Sequence, residues 1–188
     1  MSSEQQISGN ANNLIQGCNN TIQIGSFKDL SLTKSDIADL LNSVKKIQKK
    51  AAEEREISLP KGLNEKLRFN NVDDWKNIFD SDCPYYNDIV EVMESFPASS
   101  DITTQLHTMF YVLKSDFMSG DKINGDRLLT KMSKKLKEEI KNSSVYRNEN
   151  SGEARFSNAD IILFVNSLLK RAVVECKVLL VPNDGNQR

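Results

Sequence analysis

His107, the sole histidine, and the cysteines Cys18, Cys83 and Cys176 are the side chains of this 188-residue chain best suited to acid–base, nucleophilic or metal chemistry. Their spacing argues against all three. No two cysteines form a C-x-x-C pair, and no second histidine exists to complete a metal site. Cysteine–histidine catalysis would need His107 as base and Cys83 or Cys176 as nucleophile. Cys176 falls in an apolar C-terminal stretch and reads as core, whereas Cys83 precedes Pro84 in an expected turn. His107 sits beside, not within, the apolar stripe of its helix. A helical ribonuclease of the Arg-x4-6-His kind is excluded, because the closest upstream arginine is Arg68. The carboxylate pairs Asp73–Asp74 and Asp80–Asp82 read as solvated surface. The expectation is a protein that is not an enzyme and holds neither cofactor nor metal. An enzyme with an unrecognised site is one rival.

Charge gives a different kind of candidate. Lys45, Lys46, Lys49 and Lys50, with Lys34, lie largely around the side of one expected helix opposite its apolar stripe, a face suited to an acidic partner. A nucleic-acid-binding effector or regulator using this face is a second rival. Against it, the chain has 25 basic and 26 acidic residues and a net charge of −1, whereas nucleic-acid binders usually show a basic excess. No aromatic platform for bases is interleaved with the lysines. A second cluster, Lys131, Lys134, Lys135, Lys137 and Lys141, is diluted by Glu138 and Glu139 and reads as solvated. No P-loop is present, and the loop from Ser119 to Asp126 reads as a plain connector.

The elements that must position these residues are helical. The fold class expected is mainly α: one helical bundle over 29–182, preceded by a short Asn/Gly-rich strand segment over 1–28 and followed by a disordered tail at 183–188. Thr33 with Asp36 caps a first helix whose stripe is Ile37, Leu40, Leu41, Val44, Ile47 and Ala51. Leu63, Leu67, Val72, Trp75, Ile78 and Phe79 predict two short helices broken at Asn70–Asn71. Pro84 opens a helix that ends near Pro97. Asp101 caps another, with Ile102, Leu106, Met109, Phe110, Leu113 and Phe117 on one face. Leu129, Met132, Leu136 and Ile140 mark a further helix. Ser157 with Asp160 caps the last, which is apolar on nearly every face and is expected to run to Val181 as the centre of the bundle.

The N-terminal segment, ISGNANNLIQGCNNTIQIG, repeats glycine every eight residues at Gly9, Gly17 and Gly25. Asn–Asn pairs occupy the turns and Ile7, Leu14, Ile15, Ile22 and Ile24 the apolar slots. Such strands are too short to bury their own apolar face. They are expected to pair with copies from other subunits or to lie on the helical body, making the protein a homo-oligomer. The most apolar stretch, Ile161 to Val181, includes Lys170, Arg171, Glu175 and Lys177, which would be costly in lipid, so no membrane partner is expected. With no secretory leader in view and an odd cysteine count, reduced thiols and a cytoplasmic location are expected.

The stretches LPKGLNEKLRFNNVDDW and PYYNDIVEVMESF, the helix bearing Met109–Phe110–Tyr111, and ADIILFVNSLLKRAVVECKVLLVP together resemble the C-terminal helical domains of bacterial ABC-three-component conflict systems. Those domains tend to show an early Lys-x-x-x-Asn helix and a late apolar helix. The late helix ends in a Cys-Lys-Ile-Leu-like run before proline, here Cys176–Leu179 and Pro182. The Asn/Gly strands also look like those that precede such modules. The resemblance covers about Leu59 to Pro182 plus the strands. It implies an adaptor role in anti-phage defence with a protein partner from the same system. With no sensor or effector region in view beside the helical body, a stand-alone partner is expected.

Overall fold

The computed structural model describes residues 32–44, 62–120, 122–147, 152–175 and 177–182. The chain divides into two units at Ser31–Leu32, and all of these residues lie in the second. The expected strand residues Ile7, Leu14, Ile15, Ile22 and Ile24, the expected contact residues Lys45, Lys46, Lys49 and Lys50, the cysteines Cys18 and Cys176 and the tail 183–188 lie outside the described residues.

The second unit is mainly α. It comprises α1 (Lys34–Val44), α2 (Leu63–Phe69), α3 (Asp74–Ser81), α4 (Tyr86–Ser95), α5 (Ser99–Lys114), α6 (Gly125–Asn142) and α7 (Asn158–Val174). Thr33 starts α1 as expected: its hydroxyl accepts from the Asp36 N–H at 3.2 Å, and its own N–H donates to the Asp36 carboxylate at 3.0 Å. The stripe Ile37, Leu40, Leu41 and Val44 is fully buried. Phe96 is extended because it precedes Pro97, and this ends α4 at Ser95. Ser157 and Asp160 form a reciprocal capping box that opens α7.

Four helices make a ring in the order α1–α4–α7–α6, each packed on its two ring neighbours. α3 and α5 each pack on both α6 and α7. α7 is thus enclosed by α3, α4, α5 and α6, and Phe164, Val165, Leu168 and Leu169 are wholly buried. The helix that is apolar nearly all round is the one the others surround.

Three expectations are corrected. α5 stops at Lys114 and is followed by a short 3-10 turn (Ser115–Phe117), so Phe117 leaves the α-helical stripe. The Ser119–Asp126 stretch is more than a connector. Met118–Ser119 (β1) pairs antiparallel with Lys122–Ile123 (β2), Ile123 is buried, and the Asn124 side chain caps α6.

The third correction concerns α7, which ends at Val174, not Val181. At about 1.5 Å per residue, its 17 residues match the 16 of α5 and the 18 of α6. After Val174 the chain turns back. The N–H groups of Lys177 and Val178 both donate to Ala172 O, Leu179 takes a left-handed φ of 72°, and both Val178 and Leu179 are buried.

Candidate functional site

Polar side chains with well-defined geometry in this unit mostly hold helix ends. Lys66 is 2% exposed, and its ammonium donates to Val173 O at 2.7 Å, at the carboxyl end of α7. There it serves a terminal carbonyl and the negative end of the helix dipole. One turn later, Asn70 is wholly buried. Its Nδ2 donates to Leu180 O at 2.8 Å and to Lys66 O at 2.7 Å, while its Oδ1 accepts the Leu180 N–H at 2.8 Å. This one amide therefore pairs with Leu180 as a neighbouring strand would and fixes the returning C-terminal segment. Lys66 and Asn70 have the Lys-x-x-x-Asn spacing and fall on the buried side of α2 with Leu67. Two polar residues on an apolar stripe were the sequence signal that could have singled them out.

A second junction forms where α6 begins. The Asp126 carboxylate accepts the N–H groups of Asp73, Asp74 and Trp75 at 2.9 to 3.2 Å, so a residue of α6 caps α3. The Gly125 N–H donates to Asn70 O at 2.8 Å. A Cβ at Gly125 would lie 2.3 Å from Val72 Cγ2 and 2.6 Å from Asn70 O, so the close approach requires glycine. Nothing in the sequence links Asp126 to α3. On another side of the unit, Arg155 bridges Asp36 and Asp39 of α1 at 2.8 and 2.7 Å. Burial pushes the Asp36 carboxyl up, but the hydrogen bonds from Thr33 and then Arg155 outweigh it and hold the group below its ordinary range.

Of the residues suited to chemistry, the two that are described, His107 and Cys83, occupy structural positions. His107 Nδ1 lies 2.7 Å from Lys177 O, and a carbonyl only accepts, so Nδ1 carries the proton. The imidazole also packs edge-on against Tyr111, with centroids 4.7 Å apart. It tethers the same returning segment that Asn70 holds. Cys83 is half-buried, and its thiol donates to Ile78 O at 3.6 Å. Burial pushes that thiol up to about 11, only partly offset by nearby Lys170. It is therefore protonated at neutral pH and a poor nucleophile. Lys170 donates to Phe79 O in the last turn of α3. A recess lined by Met93, Leu106, Leu168 and Arg171 is too tight to admit a water molecule. Among the described residues, no group of three His, Cys, Asp or Glu side chains is placed to hold a metal ion, and no helix is long and apolar enough to cross a membrane.

What remains is organised surface charge. On α6 the buried positions are Leu128, Leu129, Met132, Ser133, Leu136 and Ile140. At 3.6 residues per turn, Arg127, Lys131, Lys134, Lys137 and Lys141 fall in one row on the opposite side. Arg127, Lys131, Lys134 and Lys141 are exposed. Glu138 interrupts this row, but Glu139 lies well round the helix from its centre. Among the described residues no carboxylate reaches these cations within ion-pair distance. Among the described residues the second lysine cluster is thus a basic face that makes no ion pair, with Glu138 as the acidic residue within its row. Comparison of the chain with family models, with curated proteins and with solved structures found no match.

Proposed function

We propose that the protein is a non-catalytic assembly or adaptor module that self-associates and presents its helical body to a protein partner. The observation that carries this reading is the contrast within the second unit. Its geometrically fixed polar groups (Lys66, Asn70, His107, Asp126 and Arg155) hold helix ends and connecting segments. The cations of α6 stand exposed and without a carboxylate partner. The resemblance to ABC-three-component helical domains supports placing the module in bacterial anti-phage defence, working in the cytoplasm beside a partner from the same system. The strand residues Ile7, Leu14, Ile15, Ile22 and Ile24 are the proposed means of self-association, since so short a segment gains its burial from other chains. Display of several copies raises avidity without any new contact.

The test is the solution mass of the protein with and without residues 1–28, measured by sedimentation with circular dichroism alongside. The expected result is an oligomer that becomes smaller on truncation while the helical signal of the body persists. An unchanged mass removes the strands from assembly, and a full-length monomer at all concentrations removes self-association altogether.

A further inference from the structure

The charge of the helical unit is divided between two faces. Residues 122–147 carry eight basic and three acidic side chains. One of those three, Asp126, is taken up by the N-terminus of α3. Residues 80–94 carry five carboxylates, Asp80, Asp82, Asp88, Glu91 and Glu94, and no basic side chain. Glu91 is met by Lys34. Among the described residues no cation lies within ion-pair distance of the other four.

The ring of helices sets where these faces point. α1 and α7 each pack against both α4 and α6, while α4 and α6 are not a packed pair. They stand diagonally across the ring, so their outer faces look in opposite directions. Ile89 and Met93 turn inward on α4, which leaves Glu91 and Glu94 exposed. The row from Arg127 to Lys141 extends about 21 Å at about 1.5 Å per residue.

We propose that the basic face of α6 docks on the acidic face of α4 in a second copy of this chain. The occupant is chosen by complementarity: the matching charge of Asp88, Glu91 and Glu94 is on the same molecule, on a helix that is not packed against α6. The contact is heterologous, with each copy offering one face of each kind, and such contacts grow into rings or open chains, not closed dimers. An acidic polymer such as nucleic acid is less well matched, because Glu138 interrupts the basic row and no aromatic platform accompanies the lysines. The inference rests on the self-association proposed above but adds a contact that the N-terminal strands do not supply.

The experiment uses full-length protein and follows mass against concentration. Raising salt from about 0.1 to about 1 M shortens the Debye length from about 10 to about 3 Å, and the head-to-tail step weakens by about tenfold or more. Charge reversal of the basic face (Lys131→Glu, Lys134→Glu, Lys141→Glu) or of the acidic face (Asp88→Lys, Glu91→Lys, Glu94→Lys) weakens it similarly. The two variants mixed regain association with each other, because each then offers what the other lacks. That restoration is the decisive result, since a misfolded variant does not produce it. An oligomer whose mass ignores salt and both reversals overturns the docking and leaves strand-driven assembly standing. A monomer throughout overturns both. Tight binding of a DNA or RNA duplex that the Lys→Glu variant loses, with mass unchanged, overturns it in favour of nucleic acid.

Discussion

Asn70 shows how much one side chain decides. Its amide is satisfied on both sides by the backbone of Leu180, and its backbone carbonyl receives the start of α6. Removing it leaves the part-buried N–H and carbonyl of Leu180 without this partner, and an unpaired group of that kind costs about 1–3 kcal/mol. Asn70→Ala is therefore expected to destabilise the protein by about that amount. The Leu180 amide should lose its protection from hydrogen exchange while amides in α6 keep theirs. Equal protection at Leu180 in variant and wild type would contradict the clamp. Leu179 depends on the same clamp, because its left-handed φ is unfavourable for a side chain other than glycine or asparagine and persists only where its surroundings hold it.

At the scale of elements, the short helices are held from outside themselves. α2 has 7 residues and α3 has 8, well below the length at which isolated helices are stable in water. α3 takes its cap from Asp126 and its C-terminal partner from Lys170. α2 is set against α6 by the approach at Gly125. Gly125→Ala forces Val72 and the Asn70 carbonyl apart, and such overpacking costs about 1–3 kcal/mol. The expected outcome is a lower denaturant midpoint with an unchanged m-value, read by urea titration. A neutral result would mean that α6 can shift away from α2 without loss.

For the whole molecule, stability is concentrated around α7, which the other long helices and α3 enclose. Val165 and Leu169 are wholly buried there. Val165→Asp or Leu169→Asp is expected to cost more than about 4 kcal/mol, a large part of the total stability of an ordinary domain. Neither variant should show a cooperative thermal transition, as judged by calorimetry. Changes on the α6 row are a contrasting set, since those side chains face outward: Lys134→Glu should leave the transition nearly in place. The separation of a charged outer row from an apolar interior is what allows association to be altered without loss of the fold.

The sequence by itself determined the helices and the core. The stripes on α1 and α6, the box at Ser157–Asp160, the breaks at Asn70–Asn71 and Pro97, and the enclosed nature of the last helix follow from spacing, capping and backbone chemistry, which act within a few residues. Three features were decided by tertiary structure alone. α7 stops at Val174 and the chain turns back, where Asn70 and His107 hold it and Val178 and Leu179 are buried. Lys66, Asn70 and Asp126 hold ends of elements far away in sequence, so nothing local announces them. That no carboxylate elsewhere among the described residues reaches the α6 cations is set by how the helices pack. Only the ring of helices sets the acidic face of α4 opposite them.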